Sequence, residues 1–295
     1  MWVVDSGNSG IFTQPKFKCK AKLVQIHLIK APVSTIVHEF SREIISKKSI
    51  IMDMVILGSK NREFFMSDIV QGCIIKYSQQ EKKAVKIQSL EYMKPINTPI
   101  KINGHFLYLH FGVTGLSLVN VSTHCLKKHS LKLHFQDTLY FGTLSSPLYS
   151  MDTKTLQTEY VGQRSGTCQA MTTANGQIMY IGILDSSSII SWNTLNPINR
   201  QELVIHDTKL QWINSLWIYD EFLWMTHNSF HLFANYKQEN ISFGIHRWKL
   251  SPDHSVKQDV IDLDMKKNSS INSTVFRSNN PLLFLFLMLS SHFNQ

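Results

Sequence analysis

A short unit of β-strands recurs along the chain, and this repeat limits the available folds more than any other feature. Each copy has an apolar strand, a turn, a second strand that begins with an aromatic residue, and a third strand closed by another aromatic. A fourth copy of this pattern covers residues 113–152. In the other three copies the two aromatics are twelve positions apart: Phe65 and Tyr77, Tyr180 and Trp192, Trp224 and Tyr236.

The period of the repeat indicates a β-propeller. The leading aromatics Tyr140, Tyr180 and Trp224 are 40 and 44 residues apart. Periods of about 40–50 residues with three or four short strands are typical of propeller blades, which pack radially around an axis. The interval of 75 residues from Phe65 to Tyr140 predicts an enlarged blade or a long insertion. Turn residues break the apolar runs every few positions, which disfavours helices. We therefore predict an all-β propeller over residues 1–262, and we assign no element to the tail, 263–295.

Charge and hydropathy exclude several classes of partner. The net charge of +9 is scattered, and its densest runs, at residues 16–20 and 81–83, form no recognised nucleic-acid motif. Such clusters are usually solvated, so we expect no nucleic-acid partner. The strongest apolar run, Leu282 to Leu289, has eight residues, whereas a membrane-spanning helix needs about 20. We expect no membrane anchor, and a monomer.

Cysteine and histidine patterns predict no metal and no cofactor. The four cysteines show no CxxC spacing and are too few for a disulfide scaffold, although one or two disulfides remain compatible with them. The nearest histidine pair, His227 and His231, is read as strand and turn, where a spacing of four does not bring two rings together. We expect these histidines to be exposed on loops.

The first residues, WVVDSG at positions 2–7, have the features of a second strand of the unit. Trp2 corresponds to Phe65, and Asp5 to Asp68. No charged segment followed by an apolar one is present, so no signal peptide is predicted in this sequence. We expect the first strand of this blade to be missing from the sequence.

Several blocks, in order from residue 2 to about Trp248, resemble the yellow and major royal jelly proteins of arthropods. WVVDSG followed by CKAKLVQIHL at 19–28 is similar to that family's "LWVLDTG … CPPKLLVFDL". TLYFGTLSSPLYSM at 138–151 resembles "RTLYFHPLAS", and IMYIGILDSSSIISWN at 178–193 resembles "LFFGLVSQNAVGCWN". LWMTHNSFHLF at 223–233 is similar to "LWVLSNRL..F".

The resemblance implies a secreted, six-bladed propeller with a ligand pocket at one end of its channel. It also implies a leader and about one and a half blades upstream of Trp2, so that this chain is expected to be truncated, with one edge open. Secretion would allow glycosylation at Asn120, Asn240, Asn268 and Asn272. The family's partner for Cys19 would lie at 58–63, where there is no cysteine. Cys19 is therefore expected outside that disulfide unless Cys73 reaches it.

The ends of the second strands supply the candidate ligand residues. In a propeller these ends gather near one mouth of the channel, and here they carry Asp5, Asp68, Thr143, Asp185 and Asn228. Acidic and amide groups with aromatic neighbours suit a protonated amine. The same residues are also common turn formers that bind their own backbone.

Resemblance to amine-binding salivary proteins of blood-feeding insects points to Asn228 and Phe230, with Asn214 at a position that is a hydroxyl in those proteins. The ligand-binding prediction therefore comprises Asn214, Asn228, Phe230, Asp68 and Asp185.

Three functions remain open at this stage. The first is a secreted protein that sequesters a small amine or catechol-like ligand. The second is a dopachrome-converting enzyme of melanin formation, for which Asp68, Asp185 and His227 are the candidate general bases. The third is a structural or nutritive protein. No catalytic constellation is visible in the sequence, so binding is favoured over catalysis.

Overall fold

The structure is a computed structural model that describes residues 1–9, 16–27, 33–123, 134–232, 243–250, 256–257 and 263–265. Most of these residues lie in five antiparallel sheets, which we number as blades. Blade 1 contains β1 (Trp2–Asp5), β4 (Lys22–His27) and β5 (Val33–Glu39). Blade 2 contains β6 (Ile51–Leu57), β7 (Glu63–Asp68), β8 (Cys73–Ser78) and β9 (Lys83–Gln88). Two short strands, β2 (Asn8–Ser9) and β3 (Lys16–Phe17), pair beside blade 1.

The next two blades repeat the four-stranded meander. Blade 3 contains β12 (Val113–Thr123), β13 (His134–Thr143), β14 (Pro147–Asp152) and β15 (Thr158–Gln163). Blade 4 contains β16 (Cys168–Ala174), β17 (Ile178–Ile183), β18 (Ser188–Asn193) and β19 (Glu202–His206).

Blade 5 contains β20 (Trp212–Tyr219), β21 (Phe222–Asn228) and β22 (Phe243–Leu250). Two short segments, β23 (Val256–Lys257) and β24 (Leu263–Met265), pair with β22 and together take the place of a fourth strand. Residues 263–265, placed in the tail by the sequence, thus pair within this blade.

The blades are arranged radially. Their first strands β6, β12, β16 and β20 contact one another in succession. Side chains link these strands: the Thr114 hydroxyl donates to the carbonyl of Cys168 at 3.3 Å, and Ser117 and Thr173 share a hydrogen bond of 2.5 Å. Side-by-side first strands place the inner edges of the sheets around a common axis, as in a propeller.

The core lies between the blades, because the facing surfaces of neighbouring sheets pack against each other. Separate clusters of buried residues fill the four spaces, and each is represented here by two members: Leu23 and Phe64 between blades 1 and 2, Phe65 and Phe141 between blades 2 and 3, Tyr140 and Trp192 between blades 3 and 4, Ile189 and Leu216 between blades 4 and 5. The all-β and propeller predictions are confirmed. The described residues form five of the six blades that the resemblance implies.

A hairpin inserted between blades 2 and 3 explains the long interval after Phe65. It consists of β10 (Ile96–Ile102) and β11 (His105–Phe111), joined by Asn103 and Gly104. Both joining residues have positive φ, 47° and 83°, which is the geometry that favours Asn-Gly in a two-residue turn. The interval therefore contains an insertion, which is one of the two alternatives left open by the sequence.

Two sequence predictions for blade 5 are wrong. The third strand, expected at 231–236, is β22, and the aromatic that closes it is Trp248, paired with Leu223. Tyr236, predicted to close it, lies outside the described residues. His227 and His231, expected to be exposed on loops, are 6% and 1% exposed, because they face the apolar interior.

Trp2 lies in a β-strand, as the sequence predicts: β1 pairs with β4, and the centroids of the Trp2 and Phe64 rings are 4.9 Å apart. Cys19, Cys73 and Cys168 are free, whereas Cys125 lies outside the described residues. No helix in the described part of the chain is long and apolar enough to cross a membrane.

Candidate ligand site on the propeller axis

One end of the propeller is covered by the hairpin. We call it the covered end; it is the end at which the second strands finish, at Asp68, Thr143, Ile183 and Asn228. The inner face of the hairpin shares one apolar cluster with residues that follow these strands in four blades. The cluster includes, from the hairpin, Ile100, Ile102, Leu107 and Phe111, and, from the blades, Ile69, Leu144, Leu184 and Phe230.

Three contacts fix the hairpin in place. At its base, the Gly112 N–H donates to the carbonyl of Ile69 at 2.7 Å. At its tip, the Asn103 side chain donates to the carbonyl of Thr208 at 3.3 Å. The rings of His105 and His231 lie beside each other, with centroids 6.0 Å apart. Any site beneath the hairpin is therefore enclosed from this side.

Three of the five predicted ligand residues lie together on blade 5, below this cover. Asn228 pairs with Trp212 across β20 and β21, and the ring of Phe230 packs on that of Trp212 at 5.1 Å. Asn214 is the extra residue at a bulge in β20. The Asn228 Oδ1 accepts the N–H of Phe230 at 2.9 Å, which leaves its NH₂ group for another partner. Trp212 is an aromatic that sequence reasoning did not select for this site.

The two predicted acids have structural hydrogen bonds. Asp68 is fully buried, and its Oδ1 accepts three backbone N–H groups, from Ile50, Val70 and Gln71. Its Oδ2 has no hydrogen-bond partner among the described residues. Asp185 is exposed, and its Oδ1 accepts the N–H of Thr167 at 3.1 Å.

The first strands of blades 2 to 5 each carry a β-bulge near the covered end. Such bulges redirect side chains and often occur beside functional sites. The residues displaced by the bulges are Met52, Thr114, Gln169 with Ala170, and Asn214. The Gln169 Nε2 lies 3.5 Å from the Met52 sulfur, so the bulges of blades 2 and 4 meet although blade 3 separates these sheets. They can meet only at the axis.

Next to this contact lies an acid that sequence reasoning missed. Asp53 Oδ1 accepts the N–H of Met54 and its Oδ2 that of Leu116 in blade 3, both at 2.8 Å. Burial raises the pKa of Asp53 to about 6, although these two hydrogen bonds oppose the change. It belongs to no ion pair within the described residues. A sequence signal was available, because Asp53 is the only charge in the run IIMDMVIL at 50–57.

The described side chains do not converge on a catalytic centre. Asp68 and Asp185 have the backbone bonds given above, and the Nε2 atoms of His227 and His246 lie 2.9 Å apart in the interior. No group of three or more His, Cys, Asp or Glu in the described ranges could hold a metal ion. Of the sequons, Asn120 lies in β12, and its side chain is outside the described part, as are Asn240, Asn268 and Asn272.

Comparison with known proteins identifies a family. Two solved structures are similar in outline, a nidogen/laminin complex and Sqt1 of Saccharomyces cerevisiae, each 10% identical. The first similarity covers 87% of this chain and 91% of the other with a TM-score of 0.39; the second covers 81% and 54% with 0.46. A search of curated proteins finds no match. A family model described as major royal jelly protein matches residues 1–260, and the chain belongs to that family.

Proposed function

We propose that the protein is a secreted member of the family that binds a small aromatic amine or catechol-like compound on the propeller axis beneath the hairpin. The observation that carries this proposal is the grouping of Trp212, Phe230, Asn228 and Asn214 on blade 5. Two aromatic rings offer stacking surface, and two amides offer hydrogen bonds, which is the usual composition of a small-molecule site.

The chemistry of the individual groups agrees with such a ligand. The free NH₂ of Asn228 can donate to a phenolic oxygen. The unpartnered Oδ2 of Asp68, at the same end of the propeller, can accept from a cation. A structural or nutritive protein would have no need of unpartnered buried acceptors, which are costly to keep. No observation favours dopachrome conversion.

Isothermal titration calorimetry of the full chain with serotonin, dopamine and histamine tests the proposal. We expect binding of at least one of these amines, and about tenfold weaker binding by Asn228→Ala, the effect of losing roughly one hydrogen bond. Asn193→Ala is the matched control, because Asn193 accepts the N–H of Leu195 in the same kind of turn, at the end of β18. No heat of binding from any amine, or equal affinities of the two variants, would contradict the proposal.

Export is part of the same proposal and has its own test. Family membership supports it, as do the four sequons. When the chain is produced behind a secretory leader, we expect glycans on Asn120, Asn240, Asn268 or Asn272, detected as a loss of mass after enzymatic deglycosylation. A secreted chain that carries no glycan would remove the sequons from the argument.

A further inference from the structure

We infer that Asp53 and Gln169 form a cation site on the propeller axis that binds the ammonium group of the ligand. Neither residue belongs to the site predicted from the sequence. The inference deepens the proposed function and depends on it, because it names the charge that would determine which ligands are accepted.

The placement of the two residues follows from the bulges of the first strands. Gln169 is displaced by the bulge in β16, and Asp53 directly follows Met52, which is displaced in β6. The Gln169 Nε2 lies 3.5 Å from the sulfur of Met52, the residue that precedes Asp53 in the chain. The charge of Asp53 also acts on the neighbour of Gln169: burial raises the pKa of the Cys168 thiol, and Asp53 adds to that effect against the opposing Arg164.

Both residues have hydrogen-bonding capacity that the described protein groups do not fill. Gln169 is 3% exposed, and its Oε1 has no hydrogen-bond partner among the described residues. The Asp53 carboxylate receives one N–H on each oxygen and faces no cation in the described part of the chain. A carboxylate accepts about four hydrogen bonds and an amide oxygen two. The site therefore has hydrogen-bond acceptors without protein donors and one negative charge without a protein cation.

A primary ammonium group matches these acceptors better than a metal ion. It brings three N–H donors and a positive charge in one small group. Calcium takes six to eight oxygen ligands, and magnesium requires near-ideal octahedral geometry. The site offers one carboxylate and one amide oxygen, with the Met52 thioether beside them. A thioether suits the methylene group next to an ammonium and is a poor ligand for these hard cations.

The test compares dopamine with 4-ethylcatechol, which has the same ring and chain length without the amine, by calorimetry on the full chain at pH 7.5. We expect wild type to bind dopamine about 10- to 100-fold more tightly than 4-ethylcatechol, because the ammonium group adds charge-assisted hydrogen bonds. Asp53→Asn should bring the two affinities within about threefold, and Gln169→Met should weaken dopamine binding alone. Asp220→Asn, the same change in the exposed turn between β20 and β21, should behave as wild type.

Wild type alone provides a second readout that does not depend on the folding of a variant. Dopamine affinity should fall below pH 6 as Asp53 is protonated, while 4-ethylcatechol affinity should stay constant. Binding of dopamine without preference over 4-ethylcatechol would overturn the inference and leave the proposed function standing. Failure of every amine to bind would overturn both. An equal loss in Asp220→Asn would assign the effect to overall charge and also refute the site.

Discussion

Replacing Asp53 with asparagine should change how the stability of the protein depends on pH. Burial raises the pKa of Asp53 from 3.8 to about 6. An acid with a raised pKa in the folded state ionises first in the unfolded chain. The contribution of Asp53 to the unfolding free energy is therefore most favourable below pH 3.8 and is lost as pH rises from 3.8 to 6. Each pH unit between these values corresponds to about 1.4 kcal/mol, so ionised Asp53 costs the folded state about 3 kcal/mol at neutral pH.

The amide introduced by Asp53→Asn cannot ionise, but its NH₂ would face the Leu116 N–H, which now donates to Oδ2 of the carboxylate. That loss of about 1 kcal/mol is independent of pH. The difference in unfolding free energy between wild type and Asp53→Asn should therefore shift by about 3 kcal/mol, in favour of the variant, between pH 3 and pH 7. Urea unfolding at a series of pH values measures it, and all other titrating groups cancel in the difference. Parallel pH profiles would refute the raised pKa of Asp53.

Three further predictions concern the covered end. Leu107→Ala, on the inner face of the hairpin, should cost about 2–5 kcal/mol of unfolding free energy, whereas Tyr108→Ala, 71% exposed on the outer face, should change it by less than about 0.5; equal costs would contradict the covering role. Gly112→Ala should cost about 1–3 kcal/mol in the same assay, because the new Cβ would lie 2.5 Å from the Gly72 Cα; an unchanged midpoint would argue against this close approach. Burial, with a smaller effect of His105, lowers the pKa of His231 to about 4, so wild type should lose about 3 kcal/mol of unfolding free energy as pH falls from 6.5 to 4. His231→Phe should not show this loss, and a variant as acid-sensitive as wild type would contradict the prediction.

The blades could be predicted because their signals are local. A strand that packs between neighbouring blades needs an apolar run such as IIMDMVI or IMYIGI, closed by turn residues, and these runs recur at a nearly constant interval. The third strand of blade 5 was misplaced for the same reason. The sequence around His231 and Phe233 fits the pattern of a third strand, but the strand that pairs with β21 begins at Phe243.

The covering hairpin could be predicted only as extra length. Its Asn103-Gly104 turn is a strong local signal for a hairpin. No local pattern indicates that Ile100 and Leu107 pack over the end of the propeller instead of against a neighbouring molecule. The bulges are hidden in a similar way. A residue such as Gln169 reads as an ordinary strand position until the register shift in β16 directs it to the axis.

A partly buried carboxylate without an ion-pair partner lowers the stability of a protein at neutral pH. Asp53 lies in a run of apolar residues, and its hydrogen bonds from Met54 and Leu116 offset only part of the cost of its ionisation in the folded state. Such a position makes physical sense if the charge is neutralised by something other than the described protein groups. A bound ammonium would bring the pKa of Asp53 back toward that of an exposed acid and recover the cost, so ligand binding and stability at neutral pH should rise together.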